Sequence, residues 1–207
     1  MSTNQNPAFP EALGHRGGME PEGRGAVEPE VPGEGECRRI WQCCNTPEPV
    51  RRHCMAVRRE AERIARDLHR AGCQVSLSVV QSAAMVHDAA RTAGNHAREG
   101  AALLRREGYE AVAEVIACHH DLQCPDLSEA AEGLPPLWLE KAAVYLADKR
   151  VMEDRTVTLE ERFEGSRRRC EQSADRERAL AAHRRRYEEA KRIESLIRLL
   201  TDGGRES

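Results

Sequence analysis

Five side chains in this 207-residue sequence carry the donor atoms that a divalent cation needs: His53, His87, Asp88, His119 and Asp148. Each stands on or beside an apolar helical stripe, and the pair His87-Asp88 follows directly on Ala83, Ala84, Met85 and Val86. A buried aspartate is costly unless it is paired. Histidines and carboxylates converging on one point are how helical proteins hold a divalent cation inside a bundle. Imidazole with carboxylate suits manganese, iron, cobalt, nickel or zinc, and ligand type alone does not choose among them. Any one of these histidines taken singly is better read as a core or surface residue with a satisfied hydrogen bond. It is the ordered set that points to a metal.

The elements that must position these groups read as helices throughout. Thr46-Pro47 offers an N-cap with proline at the first helical position, and a helix runs from there to about Ala71, where Gly72 stops it. Val50, Cys54, Val57, Ala61, Ile64 and Leu68 form its apolar stripe, with His53 on the same side. Residues 76 to 91 form a second helix, and Asn95 caps a third that ends at Arg106 before Gly108. A fourth covers 109 to 120 with Val112, Val115, Ile116 and His119 on one face; a fifth begins near Leu137 and carries Val144, Asp148 and Val151. Thr158 and Glu161 make a capping box, and a last helical region extends to about Leu200. No strand pattern competes.

Composition supports an all-α class: aromatics are only 3% of residues, and small aliphatic side chains suit closely packed helices better than a sandwich of sheets. Residues 1 to 36 are dense in Gly, Pro and Glu and read as a disordered tail. A domain over 37–165, a C-terminal amphipathic helix over 166–200 and a short disordered tail over 201–207 complete the expected organisation. In that last helix Leu180, Tyr187, Ala190, Ile193, Ile197 and Leu200 recur at helical spacing, suited to packing on the domain or forming a homodimer. A formal charge of −3 disfavours general nucleic-acid binding. No signal peptide or apolar run long enough to span a bilayer is present, so a cytoplasmic chain with eight free cysteines is expected.

The order His53, His87-Asp88, Asp148 resembles the H…HD…D signature of the HD-domain metal-dependent phosphohydrolases. "HDAAR" resembles their HD-x-x-K segment with Arg91 for lysine, "NHAREGAALL" their H-x-x-x-G-A element, "IACHHD" their I-x-x-H-H element, and "YLADKRVMEDR" the helix supplying the last aspartate. The likeness spans residues 46 to 165. "LADKRVMEDRTVTLEERF" is most similar to HD domains that occur alone or fused to nucleotidyltransferases like those of molybdenum-cofactor maturation. The Gly-Tyr-Pro continuation of cyclic-dinucleotide phosphodiesterases is replaced after "HHD" by "LQCPDLSEA", which disfavours that activity.

The resemblance implies an HD-domain helical bundle holding one or two divalent ions, with His53, His87, Asp88 and Asp148 as primary ligands and Asp88 as the bridge. His96 and His119 would complete a second site, with His120 a further ligand or a contact to substrate. It implies hydrolysis of a nucleotide or other small phosphate ester by a metal-activated water. Asp88 and Arg91 are the candidate catalytic pair, and Arg91, His120, Lys149 and Arg155 the candidate phosphate contacts. Asp121 reads either as a group orienting one imidazole or as a helix-end residue. His15, His69 and His183 are set aside. The alternative, motivated by Ala89 and Arg91 where the pattern differs, is a catalytically weak module that binds nucleotide or assists metalloenzyme maturation as a partner protein.

Overall fold

The computed structural model describes residues 30–91, 95–126, 130 and 133–203. The elements are α1 (Glu34–Cys43), α2 (Glu48–Arg70), α3 (Leu77–Val86), α4 (His96–Arg106), α5 (Glu110–Ala117), α6 (Trp138–Lys149), a ribbon of β1 (Val151–Met152) and β2 (Arg155–Thr156), α7 (Leu159–Glu171) and α8 (Arg176–Gly203). The chain is a helical bundle, as its composition implies. No helix among the described residues is long and apolar enough to cross a membrane.

Helix α2 is the axis of the bundle, contacting α3, α6 and α8. Its stripe of Cys54, Val57, Ala61, Ile64 and Leu68 is buried against Val79, Val80, Ala83 and Ala84 of α3 and Ala142, Ala143, Leu146 and Ala147 of α6. The alanines let the helix axes approach closely, so a polar group placed among them is removed from water. Arg150, just after α6, fastens this end by bonding Glu60 of α2 at 3.2 Å and Glu194 of α8. In α4, Gly100 sits where an added Cβ would come within 3.3 Å of Ile116 Cδ1, so glycine allows α4 to press on α5.

Several expected boundaries shift. Residues 1–29 and 204–207, most of both expected tails, lie outside the described residues. Order begins before residue 36: α1 starts at Glu34, with the Pro32 carbonyl accepting from Ser82 Oγ at 2.7 Å. Cys37, Ile40 and Trp41 bury the inner side of α1, which the abundant Gly and Glu around it conceal. The second helix ends at Val86 rather than 91, and the fourth at Ala117 rather than 120. Val151 belongs to a two-stranded ribbon that no alternation in so short a segment could announce. The C-terminal region is two helices broken at 172–175, and a domain boundary at 165 would fall inside α7. Ala190, Ile193, Leu196 and Ile197 of α8 are buried in the chain's own core.

Asn95 caps α4 through its side chain, Gly108 follows that helix with φ of 86°, and Thr158 with Glu161 forms the capping box of α7. Thr46 does not cap α2, whose N-cap is Pro47. Its hydroxyl instead donates at 2.8 Å to the carbonyl of Ala89, 43 residues away, and is buried. Thr46→Val, which keeps the shape and deletes the donor, should lower unfolding free energy by about 1–2 kcal/mol because the Ala89 carbonyl loses its partner. Thr46→Ser should cost less. Urea titration of both variants measures the difference, and a neutral valine would contradict this role.

Candidate metal centre

The two histidine-bearing breaks in the helices have a local cause. Beyond Val86 the helix would continue with Ala89 N–H donating to Met85 O, but that carbonyl accepts the Trp41 indole N–H at 2.8 Å. Ala89 N donates to Val86 O and Arg91 N to Asp88 O, both at 3.0 Å, which tightens residues 87–91 into three-residue turns. Residues 118–121 tighten in the same way, Asp121 N donating to Cys118 O at 3.1 Å. His87 and Asp88, and likewise His119 and His120, lie on these turns and are brought to one centre.

Around that centre the imidazoles share one orientation. His87 Nδ1 donates to Ala84 O at 2.9 Å, His119 Nδ1 to Ile116 O at 2.6 Å, and His53 Nδ1 to Glu153 O at 2.8 Å. A carbonyl only accepts, so each Nδ1 carries the proton; His87 and His119 turn unpartnered Nε2 atoms inward, while His53 Nε2 is hydrogen-bonded to the Asp148 carboxylate. Glu153 stands in the left-handed region, φ 58°, at the turn of the ribbon. The ribbon thus supplies the carbonyl that orients His53.

The inward atoms form two groups. Donor atoms of His53, His87 and Asp148 lie within 4.8 Å of one another, and so do those of His96, His119 and His120. Asp88 stands between them. Its Oδ2 is 3.8 Å from His87 Nε2, while its Oδ1 is 3.1 Å from His96 Nε2 and 3.6 Å from His119 Nε2. His53 Nε2 is 3.1 Å from Asp148 Oδ1, and His96 Nε2 is 2.8 Å from His120 Nε2. His87 Nε2, His119 Nε2 and Asp88 Oδ1 are buried with no hydrogen-bond partner among the described residues. Three orphaned acceptors aimed at one another are what a divalent cation would satisfy, at ~2 Å from imidazole nitrogen or carboxylate oxygen. The donor set therefore fits a metal. The seven residues expected as ligands, His53, His87, Asp88, His96, His119, His120 and Asp148, are brought together.

Electrostatics agree with this arrangement. Burial drives His87 down to about 4 and His120 down to about 3, keeping both rings neutral and able to donate lone pairs. Burial also opposes charge on His53, but the hydrogen bond and charge of Asp148 more than offset it, so that group is raised. Burial alone would raise both aspartates. For Asp88, the neighbouring imidazoles of His87, His119 and His96 and the Arg91 charge reverse that effect; for Asp148, Lys149, His53 and His87 do so. Both are held as carboxylates well below the usual range.

A cavity of about 530 Å³ opens beside Asp88 and Asp148, a volume typical of small-molecule sites. Arg91, His120 and Lys149 line it. Arg91 pairs with Asp88, and Lys149 Nζ donates to Asp148 Oδ2 at 2.7 Å and to His119 O at 3.2 Å. Arg155 lies exposed on β2 and is not among the residues lining the cavity. Asp121 is exposed, 3.9 Å from Arg186, and touches no imidazole of the centre. His183, set aside on sequence, is a lining residue, with Ser166, Arg162, Arg169 and Arg186 of α7 and α8. An arginine-rich helix offers no local signal for which of its cations face inward.

An all-helical bundle with an inward-facing histidine and aspartate cluster defines a class of metal-binding helical protein. The family model of the HD domain matches residues 50–153, half of the chain, and the chain belongs to the HD-domain family. That family consists generally of metal-dependent phosphohydrolases. Comparison with curated proteins and with solved structures gives no match.

The neutral rings carry a consequence for stability. An unfolded histidine takes up its proton near ~6.5, whereas His87 resists until about 4. The unfolded state binds more protons between these values, so this group's contribution is present above ~6.5 and is lost as pH falls towards 4. His53, raised, acts in the opposite sense. The chelator-treated protein should lose unfolding free energy from pH 6.5 to 4, and His87→Gln should flatten that decline. Denaturant titrations across this range test it, and equal slopes for the two proteins would contradict it.

Proposed function

We propose that this chain hydrolyses a small phosphorylated substrate, a nucleotide or comparable phosphate ester, at a divalent metal centre built from its inward-facing histidines and aspartates. The observation that carries the reading is the trio of buried acceptors without partners, His87 Nε2, His119 Nε2 and Asp88 Oδ1. His53, His87 and Asp148 would hold one ion, His96, His119 and His120 a second, with Asp88 offering one carboxylate oxygen to each. The chemistry a bound divalent ion supplies is Lewis acidity towards a phosphoryl oxygen and towards water.

The chain's own residues supply the rest. The carbonyls of Ala84 and Ile116 hold the His87 and His119 imidazoles with Nε2 free to act as a ligand atom, and the Glu153 carbonyl orients His53 against Asp148. Lys149 spends two of its three N–H donors on Asp148 and the His119 carbonyl, fixing both ligand-bearing segments while its charge faces the cavity. Arg91 is half exposed at the edge of the same cavity, and its guanidinium can take phosphate oxygens in pairs once turned from Asp88. Phe163, Cys170 and Ala179 give the cavity its apolar lining.

Elemental analysis of purified protein should find about one or two transition-metal ions per chain, falling in Asp88→Asn, a substitution that preserves shape. Hydrolysis of nucleotides or generic phosphate esters should drop about 100-fold or more in the same variant, since even groups that only orient ligands cost 10–100-fold. No metal in the unaltered protein after supplementation with manganese, iron or zinc would sink the proposal.

A further inference from the structure

The wall of the cavity opposite the metal centre comes from α7 and α8, which lie outside residues 50–153 and so outside the part of the chain matched by the HD domain. That wall presents Arg162, Arg169 and Arg186. Arg162 Nε is buried with no hydrogen-bond partner among the described residues, an expensive state for a cationic donor. Arg169 makes no ion pair among the described residues, although i,i+4 pairs such as Arg167 with Glu171 are formed on the same helix. Arg186 has only a 3.9 Å contact with Asp121, both largely exposed. Ser166 Oγ and His183 Nε2, 2.9 Å apart, add a polar pair between them.

Charge around the cavity is uneven. Asp88 and Asp148 are the carboxylates lining it, and both already have cations, Arg91 and Lys149, in contact. The three arginines of α7 and α8 are therefore in excess at a site whose metal would add further positive charge. A single phosphoryl group at the metal centre would leave that excess uncompensated.

Resting on the phosphohydrolase reading, we infer that the α7–α8 wall is a second anion subsite and that the substrate carries at least one further phosphate group beyond the one held at the metal. Arg162, Arg169 and Arg186 are specificity-determining residues that select polyphosphorylated over monophosphorylated compounds. Guanidinium forks suit the planar spacing of phosphate oxygens, and with few aromatic or amide groups lining the cavity, charge is its main means of recognition.

The test is calorimetric titration of the full purified chain with inorganic tripolyphosphate, supplied as its magnesium complex, and with orthophosphate. Metal content is measured before and after. Tripolyphosphate should bind at least about tenfold more tightly than orthophosphate. Arg169→Ala/Arg186→Ala, at exposed positions, should weaken tripolyphosphate about tenfold or more while changing orthophosphate less than about twofold and leaving metal content and unfolding unchanged. Arg162→Lys, which keeps charge without the fork, should give a smaller loss than Arg162→Gln. Equal affinity for both probes, or unaltered tripolyphosphate binding in the arginine variants, would overturn the subsite. Absence of metal would instead count against the phosphohydrolase reading alone, because the arginine effects on tripolyphosphate are read separately.

Discussion

Three imidazoles that donate Nδ1–H to backbone carbonyls, and so turn their Nε2 atoms to the same small volume, are the constraint on which the rest of this structure depends. Lone pairs and carboxylate oxygens repel one another, and in a water-poor core that repulsion is offset by Arg91 beside Asp88 and Lys149 beside Asp148. The fold nevertheless holds His87 Nε2, His119 Nε2 and Asp88 Oδ1 together without partners among the described residues. It can do so because each ring is anchored from behind, His87 and His119 by carbonyls three residues earlier and His53 by a carbonyl from the ribbon. A bound cation would satisfy these acceptors, and metal binding would then be linked to the stability of the bundle.

The packing around the centre serves this anchoring. Trp41 and Thr46, from the segment preceding α2, take the carbonyls of Met85 and Ala89 and thereby stop α3 where the ligands begin. Lys149 ties the end of α6 to the turn carrying His119, and Arg150 ties the same end to α2 and α8. Small residues on α2, α3 and α6 let the segments carrying His53, His87, Asp88 and Asp148 come close together. The helices α7 and α8 then roof the opening, turning a buried cluster into the floor of a cavity.

Much of this was legible from residue types. Helix-capping residues at Asn95 and Thr158 and the apolar stripe of α2 follow from local rules that tertiary contacts do not disturb. The seven metal-ligand candidates could be named because their order and spacing match a known pattern. Arg155 and His183 show the limit. A residue near a ligand in sequence lies exposed on a ribbon of four paired residues, and a histidine in an arginine-rich stretch was turned inward by the packing of α7 on α8. Side-chain direction in such segments depends on which helix face finds the core, and charged residues at every position leave that undetermined.

The sequence by itself determined the helical class, the candidate ligand set and the family, because these rest on periodicity, caps and the order and kinds of donor atom present. Only the tertiary structure decided that His87-Asp88 and His119-His120 sit on tightened turns rather than in regular helix, which nitrogen of each ring faces the centre, and which arginines face the cavity. Each of these depends on a partner distant in the chain: the Trp41 indole 44 residues before the carbonyl it captures, the Glu153 carbonyl 100 residues after His53, and a helical pair folding back over the site. Hydrogen bonds of that separation leave no local mark, since the donor and acceptor are ordinary residues until the fold places them together.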